Sequence, residues 1–157
     1  MEGFTVALAL VDAIPVLFFG ASMILIASKL HSPLFVIGAI LSTLAGCCKV
    51  AWKLILGTSK KDVKWLNKCF LPLMGAGWLL ILISLIFIRN GAANTDWFKG
   101  LLAMPSVLFL VLWVIMMVGM GWYKKTRFEN TDAKKNWTVQ IINIIGQAAL
   151  FFAILFA

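Results

Sequence analysis

Long apolar runs separated by short polar segments dominate this chain. A helix rises about 1.5 Å per residue, so it needs roughly 20 apolar residues to cross a hydrocarbon core of about 30 Å. Five runs meet this requirement, and we predict a transmembrane span in each of residues 4–28, 33–56, 69–88, 97–123 and 136–157. The pattern predicts an all-α integral membrane protein, in which residues 1–157 form a single five-span domain folded as one compact bundle.

The segment after the second predicted span is polar but keeps a helical spacing of apolar residues. Val63, Leu66 and Phe70 recur every three or four positions, and Ser59 to Asp62 resembles a capping box. We therefore predict a short interfacial helix at about residues 60–68, feeding the third span. Its lysines would lie against an anionic leaflet.

The composition agrees with a membrane environment. Of the 157 residues, 62% are hydrophobic and only 13% are charged. A soluble domain of this size cannot bury that much apolar surface in one core, so lipid must be the solvent. The first apolar run is longer than that of a cleaved signal peptide and has no basic segment before it, so we expect a retained helix.

Basic residues predict the orientation of the chain. The formal net charge is +8, and ten of the 14 Lys and Arg residues fall in or beside two segments on one predicted side: Lys53, Lys60, Lys61, Lys64, Lys68, Lys124, Lys125, Arg127, Lys134 and Lys135. The positive-inside rule then places the N-terminus in the cytoplasm and the C-terminus outside. We expect a multi-pass protein of the cell membrane, namely the bacterial inner membrane, with an anionic cytoplasmic leaflet as its partner and no nucleic acid.

Two charges lie well inside predicted spans: Asp12 in the first and Lys49 in the second. Both are roughly 12 Å from the cytoplasmic ends of their spans, and the connection at residues 29–33 is short enough to make these spans antiparallel neighbours. We therefore expect an ion pair between Asp12 and Lys49. Ionisable groups inside a membrane suggest a ligand or ion-coupling site, whereas the alternatives are a structural ion pair or a Lys49 that snorkels to the interface.

Carboxamide side chains mark one face of the fifth span. Asn136, Gln140, Asn143 and Gln147 recur at i, i+4, i+7 and i+11, which makes a stripe about 16 Å long. Amides facing lipid would be costly, so the stripe must face the bundle interior or a wet cavity. The alternative is interhelical hydrogen bonding, at about 0.6 kcal/mol per contact.

These two polar features predict one site, because both lie in the cytoplasmic half of the protein. We expect a cytoplasm-facing vestibule lined by Asp12, Lys49, Gln140, Asn143 and Gln147. Asp12 would be the titratable group, Lys49 its counter-charge or an anion contact, and the amides a neutral lining. The sequence lacks C-x-x-C, nucleophile-elbow, zinc-protease and phosphate-loop motifs, so we predict no catalytic residues, metal or cofactor.

The sequence thus favours a small multi-pass protein that binds or translocates a small solute or lipid through the polar vestibule. The rival interpretation is a non-catalytic accessory or scaffold subunit of a larger membrane complex, and an intramembrane enzyme ranks third. The partners implied are the bilayer, a small-molecule or lipid ligand, and a second copy of the chain or a larger membrane subunit.

Overall fold

The protein is described by a computed structural model over residues 5–89, 95–127 and 133–157. Seven helices and no strands occur in these residues: α1 (Val6–Leu30), α2 (Pro33–Ser59), α3 (Lys64–Lys68), α4 (Phe70–Arg89), α5 (Thr95–Leu102), α6 (Ser106–Arg127) and α7 (Ala133–Leu155). Five stretches are long and apolar enough to cross a membrane: Val6–Leu30, Pro33–Ser59, Lys64–Phe87, Ser106–Lys125 and Lys135–Leu155. The prediction of an all-helical protein with five such stretches is confirmed.

A two-residue connection joins α1 to α2. His31 ends α1 with a left-handed backbone at φ 49°, and the Ser32 hydroxyl accepts a hydrogen bond of 3.4 Å from the Phe35 N–H at the start of α2. Pro33 occupies the first turn of α2, where no intrahelical N–H donor is needed. So short a link makes α1 and α2 an antiparallel hairpin, as predicted.

Two glycines set the closest approach between α2 and α4. A Cβ atom added at Gly38 would lie 2.7 Å from the carbonyl oxygen of Gly77, and one added at Gly77 would lie 2.7 Å from that of Gly38. Only residues without a side chain fit at this crossing, which is a frequent solution for helices packed in membranes. The contact holds the two backbones together near the start of α2 and the middle of α4.

The long helices follow one another around the protein in the order α4, α2, α1, α7, α6, each packed on the next. Aromatic side chains pack between α1, α7 and α6. The rings of Phe18 and Phe151 are 5.8 Å apart between α1 and α7, and those of Phe109 and Phe152 are 5.7 Å apart between α6 and α7. In the described residues α4 and α6 show no comparable packing against each other, so they form the two ends of an arc.

One end of this arc is rich in lysine, and we call it the basic end. It contains the start of α1, the end of α2, α3, the end of α6 and the start of α7. The described lysines near it, outside the interior, are Lys60, Lys61, Lys64, Lys68, Lys125 and Lys135.

The fourth predicted span differs from the structure. A single helix was expected over 97–123, but the chain forms α5 and α6, separated at residues 103–105. Pro105 explains the break, because proline has no N–H donor and disfavours helical geometry in the residue before it. The short helix expected at 60–68 also begins later, at Lys64, because Lys60 leaves the helical conformation with φ 55°.

A side-chain hydrogen bond fastens the connection after α2. The Trp52 indole Nε1–H donates to Oδ1 of Asp62 at 2.8 Å, and Trp52 is buried beside Leu8 and Leu56. Asp62 therefore does not act as part of a capping box, since Val63 precedes α3 without a side-chain cap. The bond holds the 60–63 segment against the basic end of α2.

Replacing Trp52 by Phe removes this donor while keeping most of the ring. We expect a loss of about 1.5 kcal/mol in unfolding free energy, because a hydrogen bond to a charged acceptor lies in that range. Thermal unfolding in a neutral detergent measures it, with Trp65→Phe as the control, since Trp65 is 65% exposed. Additive effects of Trp52→Phe and Asp62→Ala in a double-mutant cycle would show that the bond contributes nothing.

Candidate functional site

A cavity of about 690 Å³ lies between α1, α2, α4, α6 and α7. The residues predicted to form one vestibule all line it: Asp12, Lys49, Gln140, Asn143 and Gln147. The helical spacing of the amide stripe thus does place these side chains on the interior face of α7. Whether the five residues bind a ligand stays a prediction.

The lining changes from charged to apolar along the cavity. On α7, the lining residues run from Asn136 to Leu150, a separation of about 21 Å at the helical rise per residue. Leu150 lies at the end far from the lysines, together with Phe19, Trp78 and Trp113. We call these four residues the aromatic end; the rings of Phe19 and Trp78 are 6.4 Å apart there.

The ion pair of Asp12 forms with Lys53, so the predicted pairing with Lys49 is wrong. Lys53 Nζ lies 3.0 Å from Asp12 Oδ2, and the two residues are 2% and 6% exposed. Asp12 is six residues from the first residue of α1 and Lys53 is six residues from the last residue of α2, so the hairpin puts them at one level. Lys49 lies one helical turn deeper, about 6 Å away.

Two further lysines line the cavity. The half-buried Lys49 ammonium lies 4.6 Å from the centroid of the Phe70 ring, a cation–π contact that binds it without neutralising its charge. Lys124 of α6 lines the cavity at the basic end, where it is exposed. Because the charge of Lys53 is balanced by Asp12, Lys49 and Lys124 give the described lining an excess of two positive charges.

Lys124 was missed in the sequence as a lining residue, although a signal was present. Trp113, Met117, Met120 and Lys124 recur at i, i+4, i+7 and i+11, the same spacing as the amide stripe, and all four line the cavity. The charge pattern placed Lys124 only among the basic residues on the predicted cytoplasmic side. Continuing the helical face by one more turn would have found it.

The amides of α7 are only partly used in contacts between helices. Gln147 Nε2 donates to the Met117 sulfur at 3.8 Å, which is a weak hydrogen bond. Gln140 is 4% exposed, and its Oε1, like that of Gln147, is buried and accepts no hydrogen bond within the described residues. Two residues of the stripe that line the cavity thus carry buried acceptors without a partner among the described residues.

Metal-binding and redox chemistry find little support among the described residues. No group of three or more His, Cys, Asp or Glu side chains there is arranged to hold a metal ion. Cys47, Cys48 and Cys69 are free thiols. The lining offers lysine ammonium groups, carboxamides and apolar side chains, which can contribute charge, hydrogen bonds and hydrophobic contact.

Comparison of the chain with protein-family models, with curated proteins and with solved structures finds no match. The structure itself shows an all-helical chain with five stretches suited to span a membrane. Its long helices surround a cavity that is basic at one end and apolar at the other. On these grounds the chain is a multi-pass membrane protein with an amphipathic internal cavity.

Proposed function

We propose that the protein binds or translocates a small solute or lipid through its central cavity, which opens to the cytoplasm at the basic end. The observation that carries this proposal is the cavity itself. Its volume of about 690 Å³ falls within the range of about 300–1,000 Å³ typical of ligand sites, and it combines apolar walls with a few polar groups.

The buried acceptors support binding over a purely structural role. A buried polar atom without a partner costs about 1–3 kcal/mol, and polar groups that only join helices are normally satisfied by one another. Gln140 and Gln147 both line the cavity, and each has a buried side-chain oxygen without a partner among the described residues. A bound molecule that donates hydrogen bonds would recover this cost.

The charged residues take separate roles in this proposal. Asp12 holds Lys53 by an ion pair of 3.0 Å, so this pair forms a neutral part of the wall. Lys49 then serves as an anion contact rather than as the counter-charge of Asp12. Gln140, Asn143 and Gln147 form the neutral polar lining between the lysines and the aromatic end.

The proposed orientation rests on the distribution of lysine. Lys60, Lys61, Lys64 and Lys68 are grouped at the basic end with Lys125 and Lys135, and the positive-inside rule assigns such an end to the cytoplasm. The cavity mouth beside Lys124 would then face an anionic leaflet and the cytoplasmic solution. The bacterial inner membrane fits this arrangement.

Filling the cavity tests the proposal. Met117 lines the cavity, whereas the neighbouring Val118 is 66% exposed and does not. We expect Met117→Trp to lower the occupancy of a bound molecule about tenfold, because the bulky indole ring fills space that the molecule would occupy. Val118→Trp should leave the occupancy unchanged. Native mass spectrometry of protein purified in a neutral detergent with added membrane lipid extract measures the mass and stoichiometry of what is retained.

If the protein is instead a scaffold subunit, the opposite experimental result is expected. A scaffold would carry no molecule of defined mass in its interior, and Met117→Trp would then change nothing. Stoichiometric co-purification of a larger membrane subunit, with no small adduct in the wild-type protein, would refute the binding proposal. Leu150→Trp, on the facing helix, removes no polar group and checks that any loss in Met117→Trp comes from filling the cavity.

A further inference from the structure

We propose that the occupant of the cavity is a single-chain amphiphile with an anionic headgroup, a carboxylate or a phosphate. Lys49 and Lys124 bind its headgroup, and its apolar chain extends to the aromatic end. This inference rests on the proposed function and names the class of molecule that the cavity takes.

The charge of the lining selects an anion. Of the described lining residues, Lys49, Lys53 and Lys124 are positive and Asp12 is negative, and Asp12 is already paired with Lys53. Two ammonium groups thus remain, one half-buried and one at the mouth. A charge shielded from water interacts more strongly than an exposed one, so the half-buried Lys49 is the stronger contact for a carboxylate or phosphate and the exposed Lys124 adds a weaker one.

A buried amide adds a second contact for a polar headgroup. Gln140 lines the cavity, is 4% exposed, and carries an acceptor oxygen that no described residue uses. A carboxamide offers two N–H donors and an acceptor, so it can bind both an anionic oxygen and a hydroxyl of one headgroup.

The far half of the cavity suits a hydrocarbon chain. Phe19, Trp78, Trp113 and Leu150 close it with apolar surface. The lining spans about 21 Å along α7, compared with about 15 Å for one leaflet of a hydrocarbon core, so it accommodates one acyl chain with its headgroup. The volume of about 690 Å³ matches one drug-sized molecule rather than a two-chain lipid.

The order of helix packing provides an entrance from the bilayer. In the described residues α4 and α6 are the two ends of the arc and do not pack closely on each other. Methionines from both helices line the cavity, Met74 from α4 and Met120 from α6, and their flexible side chains adapt to a passing chain. An amphiphile therefore enters sideways, with its headgroup passing at the basic end.

Trp78 and Trp113 make the occupant detectable, because bromine atoms quench tryptophan fluorescence at contact. The protein is placed in nanodiscs of neutral phosphatidylcholine. It is titrated at equal membrane mole fraction with stearate, stearyl alcohol and stearyl phosphate, each carrying two bromine atoms near the middle of its chain. Because Trp78 is 36% exposed and is also quenched from the surrounding bilayer, the signal from the cavity is the saturable quenching that is lost in a Trp113→Phe variant.

We expect saturable quenching by the stearate or the alkyl phosphate at a concentration about tenfold lower than by the alcohol, because a charge-assisted contact contributes about that factor. Lys49→Gln/Lys124→Gln should abolish this preference, and Lys49→Arg/Lys124→Arg should keep it. Lys125→Gln is the matched control, since Lys125 is exposed and does not line the cavity. The tighter of the two anions identifies the headgroup.

Equal saturable quenching by the acid and the alcohol would overturn the anionic headgroup while leaving the proposed function intact. An anion preference that survives in Lys49→Gln/Lys124→Gln would refute the assignment of these two lysines. If none of the three probes quenches saturably, the amphiphile is excluded. The proposed function also fails if the Met117→Trp variant then retains the same adducts as the wild type in native mass spectrometry.

Discussion

Replacing Lys53 by Met is expected to destabilise the protein by about 3–5 kcal/mol, which is the range for removing one partner of a buried ion pair. The cost arises because Asp12 would lose its ion-pair partner in an interior where it is only 6% exposed. The aliphatic part of Met replaces that of Lys, so little of the loss comes from packing. Reversible unfolding by a denaturing detergent, followed by far-ultraviolet circular dichroism, measures the free energy.

Two matched variants separate the ion pair from other effects. Asp12→Leu combined with Lys53→Met should recover most of the lost stability, since a buried pair replaced by apolar side chains of similar size is often neutral. Lys49→Met should cost less than about 1 kcal/mol, because its ammonium forms a cation–π contact with the Phe70 ring and no ion pair among the described residues. A larger loss from Lys49→Met than from Lys53→Met would instead restore the pairing expected from the sequence.

Replacing Gly77 by Ala is expected to cost about 1–3 kcal/mol, the usual range for overpacking a tight interior. The new methyl group would lie against the Ser42 hydroxyl and 2.7 Å from the carbonyl oxygen of Gly38. Since backbone atoms cannot rotate away as a side chain can, α2 and α4 must separate. This separation would weaken the packing along both helices.

Gly75→Ala is the control on the same helix. A Cβ atom at Gly75 meets nothing within 4 Å, so the substitution should leave stability unchanged or slightly raise it. Thermal unfolding of both variants in one detergent gives the comparison. Equal melting temperatures for Gly75→Ala and Gly77→Ala would mean that α2 and α4 do not cross at these glycines.

The number of long helices and the faces they present could be predicted from the sequence. The length of an apolar run shows whether a helix can cross the hydrocarbon core of a membrane, and each of the five stretches is long enough. Spacing along a helix reports which residues share a face, so Gln140, Asn143 and Gln147 were expected to face the interior before any neighbour was known.

The partner of Asp12 could not be predicted in this way. Lys49 and Lys53 share one face of α2 and differ by a single turn, about 6 Å. Periodicity does not determine how far one helix is shifted along another, because that shift depends on caps and close contacts such as the one between Gly38 and Gly77. An error of three residues at the end of α2 was enough to select the wrong lysine.

The division of the fourth predicted span was missed for a different reason. Residues 97–123 satisfy the hydropathy criterion, and Pro105 within that run is the local signal that was overlooked. The structure uses the break to place the separate helix α5, whose Trp97 joins the buried cluster that contains Phe19 and Leu150. Length alone cannot distinguish one long span from a short helix followed by a span.

The pairing of Asp12 with Lys53 affects the insertion of the chain into the membrane. Either charge alone, carried into lipid on a single helix, costs about 2.5–3.5 kcal/mol by insertion scales. Both belong to α1 and α2, which precede the other described helices along the chain, so the hairpin can enter the bilayer already neutralised. The amides of α7 follow the other cavity-lining helices along the chain, and the cavity acquires its polar wall only when α7 joins α1 and α6.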